Sequence, residues 1–268
     1  MPSNYPSAGI TVVKYGGSFM DSPDPAMREG VAFDLMALQT AGFLPVVVHG
    51  GGKAITRAME KAGLKAAFIQ GMRVTDEATV QVVEQVLSGE INPEIVNAIT
   101  RSGGKARGFS GTQIFRCVKL ANIDVGFVGD VTGADADTLR RAIADGFIPV
   151  VSPTALGPDQ KIYNCNADVA AAQAAIALKA NSLIFMSDVP GLLRDPSSPD
   201  SLISELRVRE VDDLKRSGVI DKGMIPKVDS AVAAFQAGVP KVLFVDGRVP
   251  NVLQKALSVE SAKGTRIV

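Results

Sequence analysis

Along all 268 residues, apolar runs of strand length alternate with segments of helical period, and turn residues separate them. No other feature constrains the fold as strongly, because parallel strands need long crossovers and a helix is the usual one. The alternation specifies an α/β chain with a mostly parallel sheet covered by helices. Length alone permits one such domain or two closely packed lobes. In the first unit a strand runs to Val13, a loop carries Lys14, and a helix follows with Asp24 as N-cap candidate and Pro25 at its first position. Met27, Val31, Leu35 and Leu38 share one face of that helix, and Gly42 ends it. Leu44 to Val48 is the next strand and runs straight into "HGGGKAI". Two strands of one crossover therefore end in glycine-rich loops at the same sheet edge.

The middle of the chain is less regular. Thr75 or Asp76 caps a helix through Leu87, and Asn92 with Pro93 starts another that ends before Gly103 and Gly104. Gln113 to Leu120 and Val125 to Val128 read as antiparallel strands of a small flap. Parallel architecture resumes with a helix over Ala136 to Asp145 and a buried strand over Ile148 to Val151.

Open α/β sheets bind ligands beyond the carboxyl ends of their strands, where both glycine loops lie. Lys14 interrupts an apolar run there, and a buried ammonium needs a negative partner. Gly50, Gly51 and Gly52 remove every side chain, so backbone N–H groups at the following helix start are open to an anion. Three adjacent glycines exceed what a tight turn requires. The loop is not a P-loop, since Lys53 precedes Ala54 and no glycine stands five residues before Gly52. His49 reads as a packed residue beside the loop, with neither a nucleophile signature nor a second metal ligand.

Further candidates come from the second half. Asn164 and Asn166 share one face of an extended segment that enters an alanine-rich helix at Asp168. Paired amides suit a small polar ligand, whereas turn chemistry and an N-cap are the plainer reading, and for Asp168 taken alone the cap is preferred. Ser187 and Asp188 end an apolar strand ahead of a Pro-Gly turn. Pro226 fits the first position of a helix whose buried face is Val228, Val232 and Phe235 and which Gly238 terminates, so Lys227 sits in its first turn. A cation there opposes the helix dipole by roughly 0.3–1 kcal/mol, which a solvated lysine tolerates. Paired with Lys14, it instead suggests two ammonium groups and a helix N-terminus converging on transferable phosphate, with Asp168 orienting both lysines.

Charge balance narrows the partners. With 28 basic and 28 acidic residues the chain has no overall field for nucleic acid or an anionic membrane. The apolar runs are too short to span a bilayer, and Met1 to Gly9 lacks the regions of a signal peptide, so a soluble cytoplasmic protein is expected. Cys117 and Cys165 have no metal spacing and His49 is the only histidine, so no metal site is expected and both thiols read as reduced and structural.

"VVKYGGSF", "VVVHGGGKAI", "GMRVTDEA", "YNCNADVAA", "MSDVPGLL" and "GMIPKVDSA" stand in the order and spacing of the amino acid kinase superfamily. From about Ile10 to the C-terminus the chain resembles its acetylglutamate kinases. The resemblance implies a three-layer αβα sandwich with an N-terminal lobe (1–180) for acetylglutamate and dimerisation and a C-terminal lobe (181–268) for nucleotide. It implies ATP-dependent phosphorylation of the side-chain carboxylate of N-acetyl-L-glutamate in arginine biosynthesis, with Mg²⁺ carried by the nucleotide. Lys14 and Lys227 would stabilise the transition state and Asp168 would hold them. Gly17, Gly50, Gly51, Gly52, Arg73, Asn164 and Asn166 would bind the acid, Arg73 gripping its α-carboxylate. Gly16, Ser187, Asp188, Val189, Pro190, Gly191, Leu192, Val219, Ile220, Asp221 and Met224 would line the nucleotide site.

Rival readings remain at this stage. A kinase for an amino-protected aminoadipate differs by one methylene, which binding discriminates by only about 1–3 kcal/mol; "GMRVT" resembles the shorter-acid subgroup. Aspartate kinases usually append a regulatory domain, for which this chain has no residues left. A silent amino-acid or nucleotide sensor is disfavoured by retention of both lysines and Asp168, and a dehydrogenase lacks its fingerprint. Arginine-inhibited relatives resemble one another in an extra N-terminal helix that builds a hexamer. The nine residues before the first strand, with Pro2, Pro6 and Gly9, cannot form it, and Asn251 and "SAKGT" depart from the sensitive pattern. A homodimer little affected by arginine is therefore expected.

Overall fold

The structure, a computed structural model, describes residues 9–16, 25–221, 223–258 and 263–268, with backbone alone for 25–28 and 199. Expectations for residues 1–8, Gly17, Asp24, the Met27 side chain and residues 261–262 lie outside these. In chain order the strands are β1 (Ile10–Tyr15), β2 (Leu44–His49), β3 (Phe68–Ile69), β4 (Met72–Arg73), β5 (Ala106–Phe109), β6 (Phe115–Lys119), β7 (Val128–Ala134), β8 (Ile148–Val151), β9 (Thr154–Leu156), β10 (Ile162–Cys165), β11 (Ser182–Ser187), β12 (Glu205–Leu206), β13 (Val242–Asp246) and β14 (Gly264–Ile267). The helices are α1 (Pro25–Thr40), α2 (Gly52–Lys61), α3 (Glu77–Glu84), α4 (Asn92–Arg101), α5 (Gly111–Ile114), α6 (Ala136–Ala144), α7 (Ala167–Leu178), α8 (Val211–Arg216), α9 (Ile225–Gln236) and α10 (Val252–Leu257).

Eight strands form one sheet in the order β12-β14-β13-β11-β1-β2-β8-β5. Each neighbouring pair is parallel except β13 with β14. The period-two alternation of side chains divides the core between the faces. Val12, Val46, Val48 and Phe185 pack with Ala171 and Ala175 of α7 and Val228 and Ala231 of α9. Val13, Tyr15, Val47 and Met186 pack with Leu35 of α1, Ile95 of α4 and Leu253 of α10. The result is the expected three-layer α/β sandwich. Phe185, fully buried, stacks on Phe244 at 5.1 Å, and truncating it to alanine would cost about 3–5 kcal/mol.

The first crossover keeps its expected order, but Lys14, expected in a loop, lies within β1, whose ladders with β2 and β11 run on to Tyr15. Val31, Leu35 and Leu38 are buried, and Gly42, at φ 89°, closes α1 while Phe43 N–H bonds back to Leu38 O at 3.0 Å. Of the two candidates for the next cap, Asp76 takes the role, accepting from Thr79 N at 2.8 Å. Three more readings need correction. No helix starts afresh at Asn92: α3 runs through a π-helical segment, Gln85–Ile91, directly into α4. The expected flap strands shift, because Gln113 lies in α5 and β7 begins at Val128; β6 and β7 are indeed antiparallel, but with β9 and β10 they close a small barrel. Asn166, not Asp168, caps α7, accepting from Asp168 N at 2.7 Å. Cys117 and Cys165 are free thiols buried in that barrel.

Candidate active site

β1 lies at the centre of the sheet, flanked by β2 on one side and β11 on the other, which is where parallel connections diverge and a crevice opens beyond the strand ends. Lys14, one rung from the end of β1, shares the face of Val12 and so points toward α7 and α9. It is 8% exposed, and its Nζ meets Asp168 Oδ1 at 2.9 Å. Because Asn166 performs the capping, the Asp168 carboxylate is released from its own helix end to take this ammonium. The contact is an ion pair without aligned hydrogen-bond geometry, so this buried oxygen keeps capacity for another donor.

Lys227 enters from the first turn of α9, where Asp221 Oδ1 accepts from the N–H groups of Gly223 and Met224 at 3.1 and 3.2 Å. Burial lowers its pKa, and repulsion from Lys14 adds to the effect, while Asp168 and Asp188 oppose it. The two lysines thus feel each other across one carboxylate. Val228 is buried beneath, whereas Val232 and Phe235 are only half-buried, and Gly238 ends α9 at φ 97°.

On the other side of β1, Gly50 N–H bonds to Tyr15 O at 2.9 Å, which sets the triple glycine beside the end of β1 and the buried Gly16. Gly51 is the N-cap of α2 and supplies no side-chain cap, leaving the helix N-terminus open. A Cβ on Gly51 would come within 2.6 Å of Leu87 Cδ2 and 2.5 Å of Ile91 Cδ1, so the π-helical segment packs directly under the loop. Arg73 holds the loop from above. It is buried, donates to Gly52 O at 2.8 Å and Thr56 Oγ1 at 2.9 Å, and lies 4.7 Å from the Phe68 ring. Burial lowers its pKa, and among the described residues no carboxylate pairs with it. Asn164 reaches the same cluster, donating to Thr75 Oγ1 at 3.3 Å, while Thr75 donates to Arg73 O at 2.8 Å. Asn166, exposed and committed to its cap, does not join them.

The residues expected at the nucleotide divide into two kinds. Ser187 ends β11, Asp188 and Val189 are exposed beyond it, and Ser187 Oγ donates to Val189 O at 3.3 Å with Pro190 next. Gly191, at φ 141°, approaches β14 so closely that a Cβ would fall 2.6 Å from Thr265 Oγ1. Leu192 N–H donates to that hydroxyl at 2.8 Å. Leu192 and Ile220 bury their side chains in the core and offer only backbone to a ligand, whereas Val219 and Met224 are half-buried and Asp221 is exposed.

The model of the amino acid kinase family matches residues 9–246. The chain belongs to the amino acid kinase family. Within that family it is similar to the acetylglutamate kinase of Heliobacterium modesticaldum, 42% identical over 98% of this chain and 92% of the relative. It is also similar to that of Akkermansia muciniphila, 43% identical over 96% and 89%. Among solved structures, a protein from Streptococcus mutans UA159 superposes with TM-score 0.82 at 26% identity, over 97% and 98% of the two chains. Carbamate kinase from Giardia lamblia bound to AMP-PNP shares the fold with TM-score 0.74 at 15% identity, over 98% and 99%.

Several parts of this candidate site escaped the sequence reading. The β3–β4 hairpin that delivers Arg73 turns on Gln70 and Gly71, both at positive φ, a type I′ arrangement. "FIQGMRV" carried that signal, since a glycine turn separates two short apolar pairs. Thr265 gave no local sign, because its partner lies 73 residues away, and Thr75, expected only as a cap candidate, accepts from Asn164, 89 residues away. Arg248, clamped on Asp246 at 2.9 and 2.7 Å beyond the end of β13, is a further cation on this edge.

Proposed function

We propose that this chain is an acetylglutamate kinase. It transfers the γ-phosphoryl group of ATP to the side-chain carboxylate of N-acetyl-L-glutamate, forming N-acetyl-L-glutamyl 5-phosphate in arginine biosynthesis. The observation that carries this reading is the Lys14–Asp168 pair, 2.9 Å apart, beside the open helix start at Gly51, in a chain similar over nearly its whole length to acetylglutamate kinases.

A carboxylate oxygen of the acid bonds to the γ-phosphorus as the bond to the β,γ-bridging oxygen breaks, and ADP leaves with that electron pair. The attacking group is already an anion at neutral pH, so no side chain has to remove a proton. What the site must supply is position and countercharge. Lys14 and Lys227 would meet the transferring phosphoryl oxygens, and Asp168 would fix both ammonium groups. The N–H groups of Gly50, Gly51 and Gly52 would receive the phosphoryl and reacting carboxylate oxygens. Arg73, which has no carboxylate partner among the described residues, would take the α-carboxylate, and Asn164 would bond the acid's polar groups. Gly16, Ser187 to Leu192 and Val219 to Met224 would surround the nucleotide, with Mg²⁺ arriving on its phosphates.

By this reading the acid lobe is 1–180 and the nucleotide lobe 181–268, joined through the β1–β11 ladder. Two chains would associate through the acid lobe, where β5 forms one edge of the sheet among the described residues and Phe33 is 58% exposed. A cytoplasmic location is part of the same reading; no helix among the described residues is long and apolar enough to cross a membrane.

ADP release from ATP with acetylglutamate, glutamate or N-acetylaminoadipate tests the assignment. Acetylglutamate should be clearly preferred. Equal rates with free glutamate would overturn it, and preference for the longer acid would move the enzyme to the aminoadipate branch. Light scattering tests the dimer, for which a hexamer would be the contrary result.

A further inference from the structure

His49 ends β2 and is fully buried, on the face opposite Lys14. It has two polar neighbours. Its Nδ1 lies 3.0 Å from Gly50 O, and its Nε2 lies 3.3 Å from Asn92 Nδ2. Asn92, buried at the point where the π-helical segment passes into α4, also donates to Val150 O at 2.9 Å and Phe109 O at 3.4 Å. Those peptide oxygens accept only, so the amide atom facing them is the NH₂ group. With Val150 O taking one hydrogen, the other lies between Phe109 O and His49 Nε2, and an amide NH₂ has no lone pair to accept a hydrogen from the ring, so Nε2 must be the unprotonated nitrogen. At the other end, Gly50 O also only accepts, so Nδ1 must carry the hydrogen. Both ends of the ring independently demand the same neutral tautomer.

The consequence reaches the glycine loop through the geometry of the peptide bond. In a trans peptide the C=O and the following N–H point in opposite directions. Holding Gly50 O against the imidazole turns the Gly51 N–H away from it. Gly51 is buried, yet among the described residues nothing accepts from its N–H. As the N-cap of α2, Gly51 carries one of the helix-end N–H groups that no intrahelical carbonyl satisfies, which suits it to an anionic ligand.

We propose that His49, fixed by Asn92 as the Nδ1–H tautomer, is a positioning residue that aims the Gly51 N–H at the reacting phosphoryl or carboxylate oxygens. This rests on the kinase reading above and adds to it a residue that does not touch substrate. Asn92 follows directly on the π-helical segment, which carries it in a continuous helix to the buried end of β2.

Because His49 is the only histidine, a protein labelled with ¹⁵N-histidine reports the tautomer directly. The expected spectrum has a pyrrole-type Nδ1 and a pyridine-type Nε2 at neutral pH. The opposite tautomer, or the averaged signals of a mobile ring, would overturn the proposal. In kinetics, His49→Leu should lower kcat about 10- to 100-fold, with the KM for ATP changed far less, as expected for misaligned donors. His49→Asn places an N–H where Nδ1–H stood and should recover most of that loss. A folded His49→Leu enzyme with unchanged kcat, or His49→Asn as impaired as His49→Leu, would equally overturn it. The spectrum reads the same whichever acid is the acceptor, and the kinetics use the best acceptor found, so an error in the assigned substrate leaves both arms readable.

Discussion

Lys14 and His49 sit one rung apart on adjacent central strands, yet on opposite faces of the sheet, and the two faces treat ionisable groups in contrary ways. On the first, Lys14, Asp168 and Lys227 share one small region, each influencing the next. On the second, burial pushes the pKa of His49 down to about 4, and the ring works as a neutral hydrogen-bonding strut. Charge is kept where a phosphoryl group would arrive, and orientation is supplied from the dry side. One strand edge thus separates electrostatic stabilisation from preorganisation, which are usually entangled in a single cluster.

The largest effects should come from the charged face. Lys14→Met or Lys227→Met should lower kcat by about 10²-fold or more while changing either KM much less, since the lost interaction belongs to the transition state. Near-normal turnover in Lys227→Met would return that residue to the role of a solvated helix lysine. Asp168→Asn should also slow the enzyme, and it carries a pH signature. Removing the carboxylate takes away a charge that raises the pKa of Lys227, so the alkaline limb of the kcat profile should move to lower pH. An alkaline limb in its wild-type position would separate Asp168 from Lys227.

Arg73, buried beside the Gly50 to Gly52 loop, joins the comparison from the side proposed for the acid. Arg73→Ala should raise the KM for the acid by roughly 10- to 100-fold, the loss of one charge-assisted grip, with a smaller change in kcat. Arg73→Lys should not restore it, because a lysine lacks the planar fork in which Nη2 alone serves Gly52 O and Thr56 Oγ1 and other N–H groups remain for a carboxylate. Steady-state kinetics with the acid varied at saturating ATP decide the matter, and an unchanged KM would detach Arg73 from the acid.

These two faces differ in how far the chain betrays them. The βαβ unit, the Gly50 to Gly52 loop and the buried Val31, Leu35 and Leu38 of α1 were legible, because glycine placement and apolar period are local signals. Lys14 was legible as an anomaly in an apolar run. Asp168 was only half legible: Asn166 and Asp168 are both good N-caps, and only the packing of α7 on β1 decides which one caps and which one pairs. Asn92 was misread for a similar reason. Asn-Pro is an ordinary helix start, and nothing nearby announces a π-helical segment or an amide turned toward Val150 and His49. The dry-side brace is built from long-range contacts, so a reading that proceeds by windows passes over it.

The neutral face makes its own prediction about stability. The unfolded histidine binds its proton near pH 6.5, whereas the native one resists until about 4. Between those values the unfolded chain holds more protons, so native stability should fall as the pH drops from 6.5 toward 4, by at most about 3 kcal/mol. Urea unfolding at pH 7 and pH 5 should show this loss, and His49→Asn should lack the corresponding share of it. An identical acid dependence in both proteins would mean that carboxylates, not His49, dominate.

The smallest effect should come from the proposed nucleotide edge, where the Ser187 to Leu192 loop leans on β14. Thr265 is fully buried, and its hydroxyl accepts from Leu192 N–H at 2.8 Å while filling the space that Gly191 leaves. Thr265→Val keeps the shape and removes the acceptor, leaving a buried N–H unpaired at a cost of about 1–3 kcal/mol in stability. The Ser187 to Leu192 loop would lose its anchor to β14, so the KM for ATP should rise a few-fold, about the effect of one neutral hydrogen bond. The KM for the acid should stay where it was, because that site is braced through Arg73, Asn92 and the π-helical segment on the far side of β1. A parallel rise in both constants would show that the two edges are mechanically continuous, and the division between them would then hold for charge alone.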